Sequence, residues 1–308
     1  MGVQTEFWTG EVMRKFRAAT NWLSVLEDKS ALVNNRVIHA VDIGSDPSVL
    51  VDATAGSNIT SAAAAEADLT FQLNKLETTN TIVTRDELYA VSYDVIGEKT
   101  NQHVTLLKEY AGRLAAQNIA PAGNATATPV FVTSGSGDSP YKVVGQTGNR
   151  NPMVLNDLAK MGNAFDQQNI PREDRYVVLH PQHYWDLVAI SNANSYFNAN
   201  NFVKMADGQL VPRIHGWYIL MAQNTPTFNG STLAKKAIGA VAAAATDSPA
   251  SVFFYGPRVF KGMKDIEMFY QDASINPQTR VNTIGFRMWF GAFAKKAEAI
   301  GAIVSGLA

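Results

Sequence analysis

Ile170-Pro171-Arg172-Glu173-Asp174-Arg175-Tyr176-Val177-Val178-Leu179-His180-Pro181-Gln182-His183-Tyr184-Trp185-Asp186-Leu187 is the stretch from which the chain is best read. A proline and a run of charges make a turn, and the apolar run from Arg175 to Leu179 that follows reads as a short buried strand. Pro181 then opens a helix, since its fixed φ and missing N–H cost nothing in a first turn. That helix is expected to carry Tyr184, Leu187 and Val188 inward. A strand feeding a helix needs further strands to cover, and the flanking sequence supplies them.

Downstream, Val211-Pro212-Arg213-Ile214-His215-Gly216-Trp217-Tyr218-Ile219-Leu220-Met221-Ala222-Gln223-Asn224-Thr225-Pro226 holds a strand over Gly216 to Ala222, ended by a polar pair and a proline. Further strands are expected at Ala237 to Ala243, Val252 to Phe254, Ile266 to Tyr270, Ile284 to Phe293 and Ala299 to Val304. Upstream, Asn151-Pro152 supplies a cap and a first-turn proline. The helix behind it would place Leu155, Leu158, Met161 and Phe165 on one face. Residues 121–150 are rich in Gly, Ser, Thr, Asn and Pro, with strands expected at Val130-Phe131-Val132 and at Tyr141-Lys142-Val143-Val144.

Asp86 to Asn118 contains no proline and is the longest helical candidate. If continuous, it would span about 50 Å. Leu88, Val91 and Val95 form one apolar face, and Leu106, Leu107, Tyr110 and Leu114 another. The polar stretch Gly97 to His103 between them suggests a bend. Such a thin apolar stripe needs something outside the helix to lie against.

Before that helix, residues 36–84 read as a sparsely buried β excursion. Val37 to Ile43 and Val49-Leu50-Val51 are apolar runs, Leu69, Phe71 and Leu73 alternate with polar residues, and Thr81 to Thr84 is β-branched. Ala53 to Ala65 has Ile59 as its single large apolar side chain and cannot build a core. An excursion of this length points to function or to an external partner. Residues 7–27 show an amphipathic helical spacing in Val12, Phe16, Ala19, Leu23 and Leu26, with Arg14, Lys15 and Arg17 off the stripe. This helix is expected to dock on protein and not on lipid. Strands and helices come in blocks, which makes the class α+β.

Composition narrows the function. The chain has 26 basic and 27 acidic residues, a formal net charge of -1 and no cysteine. Disulfides and thiolate chemistry are excluded, and a dedicated DNA-coating protein would need an excess of Lys and Arg. With 46% hydrophobic residues the chain can bury a core. No signal-peptide pattern or membrane-length apolar run is visible, so a soluble protein is expected.

The sequence offers no candidate catalytic, cofactor-binding or metal residue. There is no nucleophile elbow, and Ile96-Gly97-Glu98-Lys99-Thr100 lacks the glycines of a phosphate loop. Gly135 and Gly137 are not followed by the rest of a dinucleotide fingerprint. His180 and His183 are three apart, but a zinc site needs further ligands, so capping or core hydrogen bonding is expected of them. Asp265 and Glu267 would share a strand face, read as a solvated sheet edge. The glycosylation sequons at Asn58, Asn124 and Asn229 mean little without a secretory route.

The order of segments resembles the major capsid protein of tailed bacteriophages, the Hong Kong 97-like fold, closest to the coat proteins of short-tailed phages. The resemblance rests on the two stretches quoted above and on Arg280 through Phe293 followed by Ala297-Glu298-Ala299-Ile300-Gly301. It implies an N-terminal arm (1–35), an extended loop (36–84), a spine helix (85–118), a peripheral domain (119–174 and 261–308) and an axial domain (175–260). It further implies self-assembly through pentamers and hexamers into an icosahedral shell around a phage genome, in the virion and built in the host cytoplasm, with no enzymatic activity and no cofactor. A portal protein, a separate scaffolding protein (or none) and decoration proteins are the expected partners, with weak non-specific contact to packaged DNA and no membrane. An encapsulin-like or gene-transfer-particle shell protein is the alternative, with an unrelated soluble enzyme behind it.

Overall fold

Alternation along Arg175–Leu179 decides the architecture. Val177 and Leu179 enter one core while Val178 enters another, on the opposite face of the same sheet. Neighbouring strands repeat the split. Trp217 and Ile219 go one way and Leu220 the other, as do Phe253 against Val252 and Phe254, and Ile303 against Ala302 and Val304.

The computed structural model describes residues 20–44, 49, 66–85, 94–191, 202–205, 210–275 and 278–307. Its elements begin with β1 (Glu27–Asp28), β2 (Val37–Ile43), β3 (Glu66–Gln72), β4 (Asn74–Glu77), β5 (Thr81–Thr84) and helix α1 (Val95–Ile119). Then come β6 (Val130–Val132), α2 (Leu155–Gln167), β7 (Arg175–Leu179), α3 (Pro181–Ser191), β8 (Phe202–Lys204), β9 (Leu210–Ile214), β10 (Trp217–Met221) and β11 (Thr227–Asn229). The chain closes with β12 (Asp247–Tyr255), β13 (Val259–Met263), β14 (Glu267–Gln271), β15 (Val281–Ala294) and β16 (Ile300–Val304).

An eight-stranded sheet runs β6-β16-β12-β7-β10-β9-β8, with β11 on β12. Helices α2 and α3 cover one face through Leu158, Met161, Phe165 and Leu187, around Trp217, whose ring meets Phe165 and Phe253 edge-on at 5.0 and 4.9 Å. The other face shares its core with Leu114, Ala115 and Ile119 of α1. A six-stranded sheet is built on the 14-residue β15, with β13 and β14 along one side and β4 and β5 along the other. Ile284, Phe286, Met288, Phe290 and Ala292 alternate inward from β15 and meet Leu107 and Ala111 of α1 in the same core. One 25-residue helix therefore underlies both sheets. The third sheet is the ribbon β2–β3, paired from Val37↔Gln72 to Ile43↔Glu66.

Several sequence expectations are corrected. The helix over residues 7–27 falls outside the described residues up to 19, and its remainder is a 3-10 turn (Asn21–Val25) followed by β1. Parallel pairing of Glu27 with Phe260 on β13 outweighs the local helical spacing. The long helix starts at Val95, after the Asp94 carboxylate accepts the Gly97 N–H at 2.9 Å; residues 86–93 are outside the described set. The expected bend at Gly97 to His103 is regular helix, because tertiary contacts bury Glu98 and His103 there. Asn151-Pro152 does not start α2. Its N–H at Asn151 goes to Gly306 instead, and the helix begins at Leu155, with Asp157 accepting the Val154 N–H at 3.0 Å.

Tyr141 to Val144 and Ala237 to Ala243 are turns and irregular chain, not strands. Neither is flanked by an open strand it pairs with, and Gly239 adopts φ +81. Val49 lies outside any strand, and Leu50, Val51 and the Ala53 to Ala65 segment are outside the described residues. On α3 the buried set is Gln182, His183, Asp186 and Leu187, with Tyr184 and Val188 half-buried. Among the described residues no helix is long and apolar enough to cross a membrane.

Candidate functional site

The polar residues that sequence reasoning weighed for chemistry serve the core. His183 is fully buried between two hydroxyls, Nδ1 2.7 Å from Ser251 Oγ and Nε2 2.8 Å from Ser305 Oγ. Burial pushes its pKa down to about 3, with His180 adding repulsion, and burial takes His180 down to about 4. His180 Nδ1 accepts the Gln182 N–H at 3.2 Å, which caps the start of α3. Among the described residues no three His, Asp or Glu side chains gather as a metal would require. Glu267 sits on the exposed strand β14, 3.9 Å from Arg287, and Asp265 lies exposed just before it.

What the fold does build is a set of surfaces. The ribbon β2–β3 packs along one face and is bare along the other. Ile38 and Leu73 are buried, and Phe71 packs against Phe260 and Phe293 at 5.0 and 5.4 Å. Arg36 lies 4.7 Å over the Trp289 ring, and Lys296 holds Asp42 at 2.5 Å. The opposite face is bare: His39, Val41, Asp68 and Thr70 are exposed, Val41 at 66%. A two-stranded ribbon is marginal by itself in water, and its bare face lacks the cover that would fix it.

Three more apolar surfaces face solvent. Leu106 and Tyr110 stand one helical turn apart on the outside of α1. On β14, whose outer edge pairs with no described strand, Met268, Phe269 and Tyr270 are all exposed. A bare apolar edge strand is a template for another chain. The run Gly239-Ala240-Val241-Ala242-Ala243-Ala244-Ala245 is exposed throughout, with Val241 at 91%, and it lies across a cleft from Val143 and Val144, the latter 100% exposed.

That last surface is held by groups that sequence reasoning missed. Arg150 is completely buried and donates from Nη2 to the carbonyls of Ala244 and Ala245 at 3.1 and 2.9 Å. Asp247, also buried, accepts the Ala243 N–H at 2.6 Å and an ion pair from Lys236. Nearby, Lys235 Nζ donates to the carbonyls of Gln117 and Ala120 at the C-terminal end of α1. Burial brings the Lys235 pKa down to about 8. In the sequence, the one signal for these anchors is that charged residues flank an uncharged alanine tract.

No family model matches the sequence, and no curated protein is similar to it. Solved structures are similar over nearly the whole chain. The capsid of cyanophage P-SCSP1u matches with 17% identity and a TM-score of 0.65, covering 98% of this chain and 93% of that one. Mycobacterium phage Che8 gives 13% identity and 0.67, over 98% and 97%. The encapsulin of Synechococcus elongatus gives 12% and 0.62, over 97% and 91%. The chain is α+β and has the Hong Kong 97-like fold of these shell proteins.

Proposed function

We propose that this chain is the major coat protein of a tailed phage and that its work lies in contacts between copies of itself, not in a pocket. The observation that carries the reading is a capsid fold along the whole chain combined with apolar surfaces left bare on the isolated subunit. Each is too exposed to serve the monomer, and a neighbouring copy supplies the cover. The subunit is a structural protein and turns over no substrate. It assembles through pentamers and hexamers into an icosahedral shell in the host cytoplasm and then resides in the virion. A portal protein completes the shell, and separate scaffolding or decoration proteins and weak contact with packaged DNA belong to the same reading.

Within that shell subunit, residues 1–35 are the arm, 36–84 the extended loop and 85–118 the spine. For the remainder, sheet membership supports a division different from a cut at residue 174. Strands β6 and β16 hydrogen-bond into the sheet of β7 and β12, so segments of 119–174 and 261–308 join the axial unit built on 175–260. The six-stranded sheet on β15, backed by α1, is then the peripheral unit.

Expression of the chain followed by size exclusion and negative-stain electron microscopy tests the proposal. Closed shells, pentamers or hexamers support it, and a compact monomer at high concentration overturns it. The similarity to an encapsulin and to a gene-transfer particle favours a second reading, a shell with other contents. Particles purified from their natural source that carry protein cargo instead of DNA would select it.

A further inference from the structure

Asn229, Lys236 and Asp247 meet on one face at the β11–β12 edge. Asn229 pairs directly with Asp247 across the two strands, and the chain doubles back after β11 so that the Lys236 N–H donates to the Thr227 carbonyl at 2.9 Å. The Asp247 carboxylate is buried and divides its oxygens between the two side chains. Oδ1 accepts the Asn229 Nδ2 at 3.2 Å, and Oδ2 takes the Lys236 ammonium. On the far side of the amide, Asn229 Oδ1 accepts two backbone N–H groups, from Ser231 at 3.0 Å and from Thr232 at 2.9 Å.

These are the parts of an amide-transfer site. An amine and a carboxamide are held by one carboxylate, which replaces a bimolecular encounter with a fixed one. The two N–H groups stand where negative charge would develop on the carbonyl oxygen. The carboxylate touches both the nucleophile and the leaving nitrogen, so it can move a proton between them. Water has little access to compete at Asp247, while Lys236 keeps partial exposure and a cleft bordered by Asp247 and Thr227 gives ammonia a way out.

We propose that Lys236 and Asn229 of the same chain are joined by an intramolecular isopeptide bond, formed autocatalytically with Asp247 as the proton carrier. Asp247 takes a proton from the Lys236 ammonium, and the freed Nζ attacks Asn229 Cγ. The tetrahedral oxyanion rests on the Ser231 and Thr232 N–H groups. A proton passes from the attacking nitrogen to Nδ2, the Cγ–Nδ2 bond breaks, and ammonia departs with the proton that Asp247 held. The net change is one ammonium ion lost and the primary amide of Asn229 exchanged for a secondary amide to Lys236, with no oxidant or cofactor. The competing fate of an Asn-Gly pair is attack by the glycine nitrogen on the same Cγ, but the Gly230 N–H is committed to the Thr246 carbonyl at 2.7 Å. The bond would tie β11 and the following turn to one another beneath the exposed alanine tract. It lies within one subunit, so the inference stands whether or not the chain builds a shell.

Intact-mass measurement of the purified full chain, unfolded, is the test, combined with tryptic mapping. The expected chain is lighter than its sequence mass by one ammonia, trypsin fails to cut after Lys236, and residues 214–235 are recovered linked to residues 236–258. Lys236→Arg should restore the sequence mass, and Asn229→Asp should lose water in place of ammonia. Asp247→Asn also removes the ligand of Ala243 and Thr246, so Lys236→Arg is the variant that decides if Asp247→Asn fails to fold. A wild-type chain at its sequence mass, with Lys236 cut normally, would overturn the proposal. So would a gain in mass from deamidation at Asn229.

Discussion

Phe71 on the projecting ribbon meets Phe260 on β13 edge-on, with ring centroids 5.0 Å apart and planes at 86°. This contact, completed by Phe293, joins the ribbon to the six-stranded sheet. Beneath the same ribbon, a Cβ at Gly262 would come within 2.6 Å of Ile38 Cδ1, so the close approach needs glycine. Phe71→Ala should therefore release the ribbon and cost the subunit about 2–3 kcal/mol, less than a fully buried Phe because Phe71 keeps some exposure. Hydrogen exchange over β2 and β3 is the readout. Unchanged protection there would mean that the ribbon is held by something other than this aromatic root.

Arg150 donates charged hydrogen bonds to two consecutive carbonyls of the alanine tract, and such bonds contribute about 1.5–3 kcal/mol each. Arg150→Met keeps the buried stem and removes the donors. The tract should loosen, and limited proteolysis should cut between Gly239 and Ala245 in the variant but not in the wild type. Equal cutting in both would show that Asp247 alone suffices to fix it.

Much of this was legible from residue periods, and the failures share one cause. The apolar runs at Arg175–Leu179 and Ile284 to Phe293 stand where the sequence puts them, because burial on both faces of the first and of Ile284, Phe286, Met288, Phe290 and Ala292 in the second reinforces the local preference. Ala237 to Ala243 is an uninterrupted uncharged run, but its side chains are mostly small, and a run that buries nothing gains nothing from a sheet. Asn151-Pro152 carries a valid start signal that loses to a pairing partner, Gly306, more than 150 residues away. Long-range partners are invisible to a local reading, and the Asn229–Asp247–Lys236 cluster is invisible for the same reason. Its members look like a sequon, a lysine pair and a loop carboxylate until β11 and β12 come together.

Val144 and Val241 are nearly fully exposed on the isolated subunit, so changing them to aspartate should cost the monomer no more than about 0.5 kcal/mol. If that surface is covered by a neighbour, the same change buries unpaired charge at an interface, which is strongly unfavourable. Val144→Asp with Val241→Asp should leave the melting temperature unchanged and abolish assembled particles on size exclusion. Normal shells from the double variant would remove this surface from the assembly contacts.

Covalent joining between subunits is not expected. Lys75, the lysine of the 36–84 segment, lies on β4 opposite Trp289, with its Nζ 2.8 Å from Glu77. It is tied into a ladder at the root of the excursion, not presented at a tip. Particles boiled in detergent should run as one band near 33.4 kDa, the chain mass. A ladder of multimers abolished by Lys75→Ala would contradict this, whereas the intramolecular Lys236–Asn229 bond adds no multimer.

Acid should weaken the subunit well before its carboxylates protonate. His180 and His183 are held neutral in the fold, with pKa values near 4 and 3 against 6.5 for the free ring, chiefly through burial. The unfolded chain therefore binds protons below about pH 6.5 that the folded chain refuses, and the stability present above that pH is lost as it falls. Each ring contributes about 1.4 kcal/mol per pH unit within its window. Asp166, held low by Arg172 and Arg175, and Asp247 add losses only below the ordinary carboxylate range. Asp186, raised by burial, acts in the opposite sense upward from the ordinary aspartate value, one group against two rings. Between neutrality and about pH 4.5 the histidines should thus dominate. The urea midpoint should drop across that interval, and His183→Gln should lower the neutral-pH stability while flattening the pH slope. A midpoint that holds constant down to about pH 4.5 would mean that the two rings are charged in the folded state, and the hydroxyl clasp around His183 would need another explanation.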